Sequence, residues 1–484
     1  MTQKKKIILI SSVSAVALVA AAFCVFFVLK NTHKKNQTKN VGAKVSSEEI
    51  TSSKVTSSEI TSSEITSSEI LSSSKPAVSQ PQIAEIVEEN AETFYGSTTD
   101  DLTRPTNNYL PKGTVDYITG SLNANGCSYY KLNCGRRVYI KRIIKPQGSY
   151  IETSKAYTGI LPDHNEIRLA SLSEGSKTEI VFNTLYKAPF FLDLYPQKYT
   201  NPASQDYTVT NTTYEYVEIK FCYASVFEGE ISFSQINPLF SKFEIVSGAP
   251  DYTVRLYLKK KGAFYGWDAY YNDSGQLVLS FKHPKSAIPA DNELGADLTG
   301  IKILIDAGHG GKDCGAIAGD GTAESERNLT LSTKIAGILK NAGATVYMTR
   351  TSDTYLLSPE RTAIYRKYEP DLLISVHHDS SVNSNFNGYG AFYSTPFSQS
   401  LAKAVYLRNL ETGIYSSEGQ SRTQLAWHYF YMVRMPFCPS LLSENGYLSN
   451  EYDLTSIKSD EANNKKALAI ARGTADWLLS VGRE

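Results

Sequence analysis

Apolar positions along this chain follow four patterns, and each predicts a different kind of segment. From Ile7 to Leu29 there are 23 residues without a charge. At about 1.5 Å per residue they make roughly 34 Å of helix, enough for a hydrocarbon core of about 30 Å. The expectation is a transmembrane anchor over 7–29 behind a short stub, residues 1–6. Lys4, Lys5 and Lys6 precede the run while Lys30, Lys34 and Lys35 follow it, so basic residues alone do not orient it. Ala20-Ala-Ala22 offers small residues for cleavage as a secretory signal, but the apolar run continues past them, which favours an uncleaved anchor. From 30 to 100 the chain turns to Ser, Thr, Glu and Lys, with Ile50, Val55, Ile60, Ile65 and Ile70 recurring every five residues. Five residues rotate a helix by about 500° and alternate sides on a strand, so the period builds no face to bury. A disordered linker is expected, averaging roughly 45 to 50 Å end to end and able to stretch to about 230 Å.

The remaining two patterns belong to folded protein. Across 101–290 polar and apolar residues alternate, as in Tyr214-Glu-Tyr-Val-Glu-Ile-Lys-Phe221, Tyr252-Thr-Val-Arg-Leu-Tyr-Leu258 and Gln276-Leu-Val-Leu-Ser-Phe281, with a turn signal at Asn272-Asp-Ser-Gly275. This reads as one β-rich domain or a pair of small ones. Beyond 298, short apolar runs near 301–305, 344–349, 371–376 and 439–443 interleave with helical periodicity near 326–341, 358–368, 396–411 and 460–480. That alternation predicts an α/β domain over 298–484, a mostly parallel sheet flanked by helices.

Charge and cysteine content narrow the picture further. The chain has 49 basic and 49 acidic residues, which gives no nucleic-acid signature. Six cysteines include Cys24 in the apolar run, and the five that remain cannot all pair within the chain. Cys127 with Cys134 and Cys314 with Cys438 are conceivable bridges. Arg136, Arg137, Lys141, Arg142 and Lys145 form a basic cluster that an anionic polymer would recognise, although a solvated basic face is the commoner outcome.

Four residues in the last third carry chemistry. His309 follows Ile303-Leu-Ile-Asp-Ala-Gly308, His377 follows Asp371-Leu-Leu-Ile-Ser-Val376, and Glu444 follows Pro439-Ser-Leu-Leu-Ser443. All three are expected just past the carboxyl ends of strands, the edge where open α/β sheets bind ligands. Imidazoles and a carboxylate suit Zn²⁺, which at a catalytic site takes three protein ligands and leaves a fourth position for water. His309, Glu324 and His377 would fill that shell, and Glu444 would be the base that takes the water's proton. Glu326 is an alternative to Glu324, because acidic residues at a helix start also complement its dipole. His377 and His378 are neighbours on an extended segment, so only one can face the metal. A lone histidine after a strand is more often a structural residue than a ligand, and only the occurrence of four motifs in order reverses those odds. His428, flanked by aromatic residues, is given no role.

At these residues the chain resembles the zinc-dependent N-acetylmuramoyl-L-alanine amidases of bacterial cell walls, the family often called amidase 3. The likeness covers about 298–484. Asp306-Ala-Gly-His-Gly-Gly311 looks like the family's first zinc motif, and Glu324-Ser-Glu-Arg-Asn-Leu329 like the segment with its zinc glutamate. Ser375-Val-His377 matches the second histidine, which selects His377 over His378, and Ser443-Glu-Asn-Gly-Tyr-Leu-Ser-Asn450 matches the catalytic glutamate. Thr349, Arg350, Asp353 and Arg361 also fall where the family keeps such residues. Departures are Cys314 in place of proline, His378-Asp379-Ser380 in place of Ala-Asn-Ala, and Tyr365-Arg366 in place of Ala-Asn. Glu444 lies 67 residues after His377 (444 − 377), short for the occluding helix that some members insert there, so no built-in plug is expected.

The resemblance implies a peptidoglycan hydrolase that uses zinc-activated water to cut the amide between N-acetylmuramic acid and L-alanine. A zinc peptidase acting on the stem peptide, or a non-catalytic wall-binding scaffold, are the alternatives. The implied partners are peptidoglycan and, through the N-terminal helix, the cell membrane, with a single pass and the catalytic domain outside facing the wall. The β-rich region at 101–290 is expected, by analogy of position, to bind or target the wall.

Overall fold

The structure is a computed structural model that describes residues 81–481 apart from 90, 95–104, 125–126, 142–150, 156–158, 197–212 and 416–419. The anchor expected at Ile7–Leu29, the repeats up to Ile70, Arg142 and Lys145 lie outside the described residues. Among the described residues no helix is long and apolar enough to cross a membrane. Residues 81–484 form one compact unit.

The linker expected over 30–100 is corrected at its end, because Ile83–Ile86 and Ala91–Phe94 are strands. Ile83, Ile86 and Phe94 are buried, whereas the repeat upstream supplies a single apolar residue in five. The β-rich region divides into two bodies. In the first, an antiparallel sheet runs in the order Pro105–Leu110, Ala91–Phe94, Arg137–Lys141, Cys127–Leu132, Val115–Ala124, Ile83–Ile86, Ile151–Thr153. The second is a sandwich of a four-stranded and a five-stranded sheet, whose inner faces meet in one core through Ile180 and Phe182 on one side and Ile219, Val254 and Leu256 on the other. Two expectations change here. Arg136 and Arg137 are buried rather than displayed as a basic face, Arg136 lying 4.0 Å from the Phe191 ring centroid. The five described cysteines, Cys127, Cys134, Cys222, Cys314 and Cys438, are all free, so neither conceivable bridge is present.

The catalytic half follows the expected alternation closely. Its strands are β1 (Lys302–Ala307), β2 (Thr345–Met348), β3 (Leu372–Asp379), β4 (Tyr389–Tyr393), β5 (Gln424–Trp427) and β6 (Ser440–Tyr447). Its helices are α1 (Glu324–Asn341), α2 (Ser358–Tyr368), α3 (Gln399–Leu410), α4 (Glu451–Lys458) and α5 (Asp460–Ser480). The sheet order is β2-β1-β3-β6-β4-β5, parallel throughout except for the β4–β6 pair. Ile303, Ile305, Ile374, Val376 and Leu441 turn one face into a core with Leu331 and Ile335 of α1 and Ile470 of α5. Leu304, Leu373 and Leu442 point to the other face. Since alternate residues share a face, Asp306, Ser375, His377 and Glu444 lie with the second set. Helix α3 packs on α5 and so belongs to the first face, which leaves the His377 side clear of it.

The β-rich bodies seal against that half through shared contacts. Tyr109 of the first sheet is buried with Leu304, Tyr365 and Leu373 and donates its hydroxyl to the Arg434 carbonyl at 3.0 Å. Phe397 enters the core of the sandwich. The Trp267 N–H donates to the Pro436 carbonyl at 2.8 Å, and a Cβ on Gly266 would lie 2.5 Å from the Phe437 backbone.

Candidate metal centre

The site begins with a short backbone anomaly. After β1 the chain breaks into Gly308-His309-Gly310-Gly311, and His309 sits at φ 59°, a left-handed conformation that a non-glycine residue holds only when its surroundings impose it. Two arginines do so. Arg350 donates to the Ala307, Gly308 and Ser325 carbonyls at 2.9, 2.8 and 2.7 Å, and Arg361 to the Ala307 and His309 carbonyls at 2.9 and 2.7 Å. Arg361 is held in turn by buried Asp306, which also accepts from Thr349 and Ser375 hydroxyls at 2.8 and 2.7 Å. Those partners keep the Asp306 carboxyl below its usual range despite complete burial, which acts the other way.

Around this turn, one donor atom from each of His309, Glu324 and His377 lies within 4.8 Å of the other two. Glu324, the first residue of α1, is buried and spans both imidazoles, with Oε2 3.2 Å from His309 Nε2 and Oε1 3.0 Å from His377 Nδ1. Burial opposes its charge, yet the two rings hold its carboxyl well below the ordinary value. His309 Nδ1 lies 3.0 Å from Asp313 Oδ1, an ion-pair distance. Glutamate and histidine choices are separated by geometry. Glu326 is exposed and pairs with Arg327 at 2.7 Å. His378 points to the opposite face, buried, with Nδ1 2.8 Å from Asn328 Oδ1, and desolvation holds it neutral.

Two glycines make room for the cluster. A Cβ on Gly308 would lie 2.2 to 2.7 Å from three atoms of the His377 ring, and one on Gly315 would lie 2.4 Å from Glu324 Oε2 and 2.8 Å from His309 Cδ2. Glu444 stands in register with His377, not beyond its strand but inside β6, which runs on to Tyr447; β3 likewise continues through His377 to Asp379. Its Oε2 is buried without a hydrogen-bond partner, and burial, with Asp379 and Glu324 nearby, pushes its carboxyl well above the usual range. Two imidazoles, a carboxylate and an unsatisfied acid in a glycine-cleared notch form a donor set suited to a divalent cation such as Zn²⁺.

Residues 303–476 match the family model described as N-acetylmuramoyl-L-alanine amidase. The uncharacterized protein YqiI of Bacillus subtilis (strain 168) is 30% identical over 176 residues, 36% of this chain and 84% of that protein. The chain belongs to the N-acetylmuramoyl-L-alanine amidase family. N-acetylmuramoyl-L-alanine amidase LytC of B. subtilis (strain 168) is 28% identical over 194 residues, which span 40% of this chain but only 39% of LytC. The catalytic domain of the amidase CwlV from Bacillus (Paenibacillus) polymyxa var. colistinus aligns at 28% identity and TM-score 0.35, covering 37% of this chain and 98% of that one.

Two positions where this family member departs from the pattern, Tyr365 and Arg366, sit at its junction with the β-rich bodies. Tyr365 is buried and its hydroxyl lies 2.6 Å from Cys438 Sγ. Arg366 pairs with Asp268 of the sandwich at 2.6 Å and with Glu89 of the first sheet at 3.3 Å. The amidase residues that sequence reasoning gave no part are Gly308, Asp313, Gly315 and Asn328. For the first three the signal was the density of glycines from 308 to 315, which marks close backbone approach; Asn328, inside a helix, carried none.

Proposed function

We propose that this protein is a zinc-dependent amidase that cuts the bond between N-acetylmuramic acid and L-alanine in peptidoglycan, with His309, Glu324 and His377 as the metal ligands and Glu444 as the base. The reading rests above all on the convergence of the His309, Glu324 and His377 donor atoms within 4.8 Å, in register with Glu444, in a chain of this family. Zinc in such a shell acidifies water and polarises a carbonyl oxygen. Arg350 and Arg361 fix the turn that aims His309, and the Asp313 carboxylate lies beside its ring. Glu444 Oε2, with no partner of its own, is free to accept the attacking water's proton and to return it to the departing L-alanine nitrogen. A positive charge among Glu324, Glu444 and Asp379 would also offset the burial and, after it, the repulsion from Asp379 and Glu324 that raise the Glu444 carboxyl. In this reading Ile7–Leu29 anchors the chain in the cell membrane and the segment after it lets the catalytic half reach the wall outside.

The test is digestion of purified peptidoglycan followed by mass spectrometry of the fragments, with and without a chelator. Free L-alanine amino termini on intact glycan, lost with chelator and restored by zinc, are expected. New amino termini inside the stem peptide would make the protein a peptidase instead, and intact wall with wild-type protein would leave a binding scaffold.

A further inference from the structure

The sheet face that carries His377 and Glu444 does not end at Glu444. Across β4 and β5 the register continues from Glu444 to Gly390 to Gln424, and one pair further from Leu442 to Phe392 to Ala426. Gly390 has no side chain to fill the place beside Glu444; a Cβ there would lie 3.3 Å from the Glu444 Cβ and 2.4 Å from the Phe392 ring, which leans across it. Beyond Phe392 come two more rings. His428 and Phe430 stack with centroids 3.7 Å apart and planes 20° apart, and both meet Phe392 edge-on at 5.8 and 5.4 Å. Phe392 is buried and His428 is exposed, so an aromatic wall rises from the catalytic glutamate to the surface. Exposed Gln424 stands in the Glu444 row as a hydrogen-bonding group. The loop is pinned from behind by the first β sheet, where Tyr429 donates to Glu92 at 3.1 Å and packs on Phe94 and Tyr139. The opposite flank of the site, past His309, is charged and carries Asp313, Lys312 and Asp353.

We propose that His428, Phe430 and Phe392, with Gln424, form the subsite for the sugar ring next to the scissile amide, and that the charged flank takes the peptide. The inference rests on the amidase reading. The bond attributed to this enzyme has a pyranose on one side and a peptide on the other. A pyranose presents a C–H face that packs on an aromatic ring and a rim of hydroxyl and acetamido groups for an amide such as Gln424, whereas a stem peptide brings carboxylates and amines that an aromatic wall leaves unpaired. The first β sheet thereby acts as the backing of the substrate cleft.

The test compares steady-state turnover by the full-length zinc-loaded protein of two synthetic substrates with one stem peptide, an N-acetylmuramoyl-peptide and the corresponding D-lactyl-peptide, which keeps the amide but lacks the ring. Wild type should prefer the muramoyl substrate in kcat/KM, and His428→Ala should reduce that preference about tenfold, the worth of one good ring contact. His428→Trp should keep it, and Phe430→Leu should lower it in the same direction as His428→Ala. An equal loss on both substrates, or no loss on either, overturns the subsite. Wild type that cleaves neither substrate overturns the amidase reading and the subsite with it.

Discussion

Glu324 carries its charge where almost no water reaches it, which it can do only because two imidazoles meet its two oxygens. Removing any one of the three breaks the shell. His309→Ala, His377→Ala and Glu324→Gln are expected to lose bound zinc together with activity, whereas Glu326→Gln and His378→Ala should keep near-stoichiometric metal by elemental analysis; zinc retained in His377→Ala and lost in His378→Ala would reverse the assignment. Glu444→Gln should behave differently, holding its zinc while turnover falls by about 10² to 10⁴, because it keeps the shape and loses only the proton acceptor. Lys466 offers a test of the same electrostatics away from the metal. It is fully buried, donates to the Asn445 carbonyl and Ser456 hydroxyl at 3.0 Å each, faces Asp453 and the Tyr415 ring, and desolvation lowers its pKa to about 7. Between about pH 7 and 10.5 the unfolded chain therefore binds more protons at this residue than the folded one, so it contributes stability that rises with pH. Relative to wild type, Lys466→Met should gain stability as pH falls from 10 to 7 and level off below, which denaturant titrations at several pH values will measure.

At the level of elements, the site is a matter of what small residues leave empty. The turn after β1 brings backbone against the His377 ring because Gly308 has no side chain, and Gly315 does the same for Glu324 and His309. Gly308→Ala should leave the circular dichroism spectrum unchanged but weaken zinc retention strongly, since the added carbon would sit 2.2 Å from a ring atom and either ring or turn must move. Unchanged zinc affinity would mean that the ring can yield without cost to the site. The elements themselves were legible from the chain. Expected helices at 358–368 and 460–480 coincide with α2 and α5, and those near 326–341 and 396–411 differ from α1 and α3 by at most three residues at an end. The strands β4 and β5 were not foreseen. Tyr389-Gly-Ala-Phe-Tyr393 is short and interrupted by glycine, and Gln424-Leu-Ala-Trp427 is an edge strand, so neither stands out as a periodic signal.

Over the whole molecule, the β-rich bodies are built into the enzyme. Glu92 of the first sheet forms a buried ion pair with Arg434, which leads toward β6 and Glu444, and the Arg434 Nη2 donates to Glu92 Oε2 at 2.7 Å. Because breaking a buried pair from one side strands a charge, Glu92→Ala should destabilise the protein by about 3 to 5 kcal/mol in a denaturant titration. A loss near zero would show that the sheet is merely resting on the catalytic half. A fragment limited to 298–484 should, for the same reason, be less stable than residues 81–484, as it exposes the apolar surface around Tyr365 and Phe437 that Tyr109 covers and loses the Trp267 hydrogen bond to the Pro436 carbonyl.

Sequence by itself determined the residues that could bind a metal and the alternation that builds an α/β sheet around them, because ligand chemistry and hydrophobic period are local properties. It also determined that His377 and His378 point to opposite faces, since side chains alternate along any strand. Local chemistry left open which of the two faces the cluster and whether Glu324 or Glu326 does; the family motifs pointed to His377 and Glu324, and the physical reason lies in tertiary structure, in the packing of α1 against β3 and the burial of His378 on Asn328. The docking of the β-rich bodies was beyond the sequence for a related reason. Arg366 and Glu89, or Arg434 and Glu92, are separated by hundreds of residues, and no local pattern encodes which buried charge will find which partner.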